Sequence, residues 1–154
     1  AISTLEDLAE GSFQTVIGEI DSLDPKKVER MILCSGKVYY DLLEKRRAEG
    51  REDIAIIRIE QLYPFPEEDL AEALAPYKNL KHIVWCQEEP MNQGAWYQIR
   101  HHLQACLADG QALHYAGRAR SPSPAVGHMA DHVAEQKKLV ADALVNTFND
   151  QVAE

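Results

Sequence analysis

From residue 28 onward, short apolar runs alternate with longer stretches in which apolar positions recur every three or four residues. A run that is apolar at consecutive positions marks a strand buried on both faces, and a 3.6-residue recurrence marks a helix with one buried stripe. Their alternation predicts βαβ units, and four can be read off. The first is ERMILCS (29–35), followed by GKVYYDLLEKRRAEG, in which Val38, Leu42 and Leu43 share a helical face and Gly50 supplies a left-handed stop. The second is DIAIIRI (53–59), then EQLYPFP, then a helix opening at Pro66, where a missing N–H does no harm. Glu67, Glu68 and Asp69 complement its positive end. The third is HIVWCQ, a turn with Asn92 as expected N-cap, and a helix striped by Trp96, Ile99, Leu103, Cys106 and Leu107 that stops at Asp109-Gly110. The fourth is ALHYAG (112–117), then RARSPSPAVG, with Ser123-Pro124 as cap and first-turn pair. Its helix carries Val133, Leu139, Val140, Ala143, Leu144 and Phe148. Right-handed crossovers would put helices on both faces, an α/β three-layer αβα sandwich.

The first 27 residues break this pattern. They are acidic, interrupted by Gly11, Gly18 and Pro25, and hold one short apolar stretch from Phe13 to Ile20. The expected organisation is an incoming arm over 1–27 and an α/β domain over 28–154. With 154 residues and 45% hydrophobic content, one domain with a real core is expected. A net charge of −9 argues against nucleic acid and anionic membrane as partners. No apolar run approaches the roughly 20 residues of a membrane helix, and the start lacks a basic-then-apolar leader, so the expectation is a cytoplasmic protein. Cys34, Cys86 and Cys106 are widely spaced and fit reduced, buried thiols.

Candidate chemistry is sparse. His128 and His132 have metal-ligand spacing, but a zinc-protease motif needs Glu where Met129 stands, so solvated helix histidines are expected. His101 and His102 lie about 100° apart on a helix, so at most one faces inward. Glu88 and Glu89 end a parallel strand, where open α/β sheets place ligands. They are either an acid–base pair or, as expected here, a cap or interdomain contact. Ser35-Gly36-Lys37 opens a helix and offers either an anion seat or a plain turn. Arg118 and Arg120 precede another helix start, and Lys37 and Arg118 could share a site if their strands lie close. No catalytic or metal-binding residue is assigned.

The strings CSGKVYYDLLEKRR, DIAIIRIEQLYPFP, VWCQEEPMNQGAWY and YAGRARSPSPAVG resemble the C-terminal domain of the decarboxylating first component of 2-oxoglutarate dehydrogenase, from about Leu5 to Leu144. The resemblance implies a transketolase C-terminal-like fold with a mostly parallel sheet of about five strands. It also implies a parent enzyme that decarboxylates 2-oxoglutarate with thiamine diphosphate and Mg²⁺ bound in upstream domains, across a homodimer. That parent passes succinyl to lipoamide and works with dihydrolipoyl succinyltransferase and dihydrolipoyl dehydrogenase. Its catalytic and cofactor residues would lie upstream, leaving this chain an inactive structural or interface domain, with Glu88, Glu89 and Asn92 as interface residues. The alternative is an effector module for acetyl-CoA or adenine nucleotide, with Lys37, Gln87, Gln93 and Arg118 as contacts. The corresponding domain of a pyruvate or branched-chain dehydrogenase fits RIEQLYPFP and NQGAWY less well.

Overall fold

The computed structural model describes residues 14–118 and 129–145. Five strands form one sheet: β1 (Val16–Ile17), β2 (Arg30–Cys34), β3 (Ile54–Ile59), β4 (His82–Pro90) and β5 (Ala112–Arg118), in spatial order β1-β3-β2-β4-β5. The helices are α1 (Val38–Glu49), α2 (Glu67–Leu74), α3 (Trp96–Ala105) and α4 (Met129–Val145). β2, β3, β4 and β5 pair in parallel, and β1 joins β3 antiparallel. The expected α/β sandwich with a mostly parallel five-stranded sheet is what forms.

Alternation along each strand divides the core into two. Met31, Leu33, Ile57, Ile83 and Trp85 face Leu70 of α2 and Trp96, Ile99 and Leu103 of α3. Ile32, Cys34, Ile56, Val84 and Cys86 face Val38 and Leu42 of α1 and Leu139, Val140, Ala143 and Leu144 of α4. All five β2 residues are buried, as befits a central strand covered on both faces. Cys34 and Cys86 are free, buried register partners, and burial pushes both thiols up; Cys106 is only half-buried.

Residues 14–27 are tied to this sheet. Arg46, 1% exposed, donates to both carboxylate oxygens of Glu19 and to Asp21 at 2.6 Å, while Glu19 accepts the Ile56 N–H at 2.7 Å. The carboxylate thus takes over the β3 edge where two-residue β1 ends. Gly50 terminates α1 at φ 62°, as expected. Pro66 is the N-cap of α2 rather than its first residue, and its carbonyl accepts the Leu70 N–H. Val133 is 47% exposed and lies off the buried stripe of α4. Ser123-Pro124, His128 and Phe148 lie outside the described residues. No helix among those described is long and apolar enough to cross a membrane.

Candidate functional site

β2 leads into α1 on one face of the sheet, and its neighbour β4 leads into α3 on the other. The carboxyl ends of β2 and β4 therefore diverge, at the switch point where an open α/β sheet offers a ligand crevice. Ser35-Gly36-Lys37 forms one lip. Gly36 takes φ 80°, which favours glycine, and Lys37 occupies the cap position of α1, exposed and without an ion pair among the described residues.

The other lip is the exit of β4, which runs on past Cys86 through a register shift to Pro90. Because strand neighbours point to opposite faces, Glu88 and Glu89 do not form a carboxylate pair. Glu88 turns to the α4 face, where its Oε1 accepts from Gln136 at 2.8 Å, while Glu89 is exposed.

Gln87 turns the other way and is 3% exposed. Its Oε1 accepts from the Trp85 indole at 2.8 Å and the Trp96 backbone N–H at 3.1 Å. Its Nε2 donates to the carbonyls of Glu89 at 3.0 Å and Pro90 at 2.9 Å. Gln87 therefore satisfies the start of α3, the task expected of Asn92, which sits exposed on the preceding turn beside exposed Gln93. Ala95 is the cap residue and has no side chain able to accept, so the acceptor comes from the neighbouring strand. Gly94 makes this possible, since a Cβ there would lie 2.5 Å from Gln87 Nε2. A Cβ on Gly117 would likewise meet the Tyr115 hydroxyl, which donates to the Arg118 carbonyl at 2.9 Å.

Arg118 is engaged from three sides. Its Nε donates to Glu135 at 2.8 Å, Nη1 to the Glu88 carbonyl and Nη2 to Gln136 at 3.4 Å. Gln136 Nε2 also donates to Asp41 of α1 at 2.9 Å, so this one side chain of α4 spans from α1 to β4 across the switch point. One strand, β4, lies between the strands that lead to Lys37 and Arg118. Gln136 and Asp41 had no place in the expected site. The readable signal was a glutamine three and four positions before Leu139 and Val140, on the apolar stripe of its helix.

His101 and His102 do not share one environment. His102 hydrogen-bonds Glu67 and stacks on Phe65 with ring centroids 5.1 Å apart, and His101 is exposed. Among the described residues no three His, Cys, Asp or Glu converge as metal donors.

A model of the 2-oxoglutarate dehydrogenase C-terminal family matches residues 2–144. The chain is 67% identical to the 2-oxoglutarate dehydrogenase E1 component of Azotobacter vinelandii, over 93% of this chain and 16% of the relative. It is 60% identical to that of Haemophilus influenzae, over 94% and 15%, and 55% identical to that of Coxiella burnetii, over 94% and 16%. It thus spans about a sixth of these relatives' length.

Proposed function

The chain belongs to the 2-oxoglutarate dehydrogenase C-terminal family, and from that membership we propose that it is a non-catalytic interface domain of a longer decarboxylating enzyme component. The observation that carries this reading is the state of the switch-point edge. Gln87, Arg118 and Gln136 are bonded to the domain's own strands and helices, so they make a stiff platform rather than an open ligand site. A platform of fixed loops, with Glu89, Asn92 and Gln93 exposed on it, suits docking against another domain.

Among the described residues no three His, Cys, Asp or Glu converge as metal donors, and none of them is assigned here to thiamine diphosphate or Mg²⁺. On this reading, decarboxylation of 2-oxoglutarate and succinyl transfer to lipoamide are assigned to the longer, dimeric polypeptide, acting with dihydrolipoyl succinyltransferase and dihydrolipoyl dehydrogenase. The test supplies this chain with 2-oxoglutarate, thiamine diphosphate, Mg²⁺ and an artificial electron acceptor. No acceptor reduction is expected, and steady turnover would overturn the proposal.

One observation favours a second reading, an effector site for acetyl-CoA or adenine nucleotide: Lys37 stands exposed at the start of α1, without an ion pair among the described residues. Calorimetric titration with acetyl-CoA separates the two. Absence of heat accords with the interface role; saturable heat abolished by Lys37→Ala would favour the effector.

A further inference from the structure

A broad concavity among the described residues lies away from the switch point. It is a groove of about 1020 Å³ between the β3–α2 loop, the first turn of α2 and the outer side of α3. Its wall is built rather than loose. Gln61 Nε2 donates to the Pro64 carbonyl at 2.9 Å, Phe65 stacks on His102, and His102 bonds Glu67. On this wall Tyr63 is 93% exposed, and Leu62, Phe65 and Tyr97 add further apolar surface. An aromatic ring held out to solvent on a braced loop is the kind of anchor found at the centre of protein interfaces.

Two further facts say what covers it. Thr15, the second described residue, lines the groove, its hydroxyl bonded to Asp69 and its carbonyl accepting the Glu60 N–H at 2.8 Å, so the described chain begins on this rim. In the relatives, most of the polypeptide lies outside the matched region, which is only 15–16% of their length. A covalent neighbour delivered at the rim has a high effective concentration there. In charge, Glu67, Glu68 and Asp69 line the groove and no Lys or Arg does. The complementary surface is therefore basic.

We propose that this groove receives the part of the polypeptide that precedes this domain in longer family members, through a Lys- or Arg-bearing surface with an apolar side chain placed over Tyr63. The inference rests on the interface reading above and adds the face that docks and the chemistry it meets.

The test joins this chain to the preceding region of the Azotobacter vinelandii relative and compares amide exchange in the joined protein and in the chain alone. Residues 61–69 and 97–102 are expected to exchange at least ~10-fold more slowly in the joined protein. The double change Tyr63→Arg, Glu68→Arg, at exposed positions outside the core, is expected to remove that protection. Protection of residues 87–95 but not of the groove would overturn the proposal and leave the interface reading standing. Protection of neither would sink both. Protection that grows with concentration in the chain alone would assign the groove to a second copy and overturn the proposal as well.

Discussion

Gln87 shows how one side chain can decide a loop. Its two N–H groups and two lone pairs are all used, in a buried position between two tryptophans. Replacing it with Leu leaves the Trp85 indole and the Trp96 N–H without this acceptor and takes a donor from the Glu89 and Pro90 carbonyls, the latter still accepting from Gln93 and Gly94, and about 3 kcal/mol of stability is expected to be lost in urea unfolding. Gly94→Ala places a methyl group against the same amide. That amide cannot swing aside without breaking four bonds, so a loss of about 1–3 kcal/mol is expected. In the double variant with Gln87→Ala the two losses should fall short of their sum, since the clash disappears with the glutamine. Arg46→Ala strands the buried Glu19 carboxylate and is expected to cost about 3–5 kcal/mol, with β1 the first segment to lose exchange protection. None of these residues announced its role in the sequence. Asn92 had the better capping propensity, but the acceptor that α3 uses comes from nine positions earlier, through a strand that local propensity does not register.

At the scale of elements, legibility followed burial. β2, β3 and β4 were readable because each holds a run of four consecutive apolar residues, as a strand covered on both faces does, and α1 because its stripe and Gly50 agree. β1 was not, because two half-buried residues carry no pattern and are held by an ion pair 27 positions away. The acidic pair after Cys86 takes on a different character in the fold, since adjacent carboxylates in sequence become opposite-facing ones in a strand. The lower end of the sheet yields a pH prediction. His82 Nδ1 lies 3.0 Å from His114 Nε2, beside Arg30, whose Nη1 donates to the Ala143 carbonyl near the end of α4. Burial first, then Arg30, His114 and Lys81, hold the His82 imidazole below its usual range, with Glu29 opposing. The unfolded chain therefore binds this proton more readily, so stability is full above about pH 6.5 and falls as the pH drops below it. Urea midpoints measured between pH 7 and 5 should decline for the natural sequence and decline less for His82→Gln.

For the whole molecule, the strand order β1-β3-β2-β4-β5 gave a fold whose outline the alternation of runs predicted, while the polar closure of its ligand edge by Gln136 did not show. The same order carries a consequence for how the chain is made. β2, at the centre, is synthesised before either neighbour, β3 and then β4 are laid on its two sides, and each addition leaves a fresh open edge. The face formed by Ile32, Val84, Cys86 and Ala116 receives Leu139, Val140, Ala143 and Leu144 only when α4 emerges. Until α4 leaves the ribosome, a nascent chain with a finished sheet still presents part of its interior to the cell.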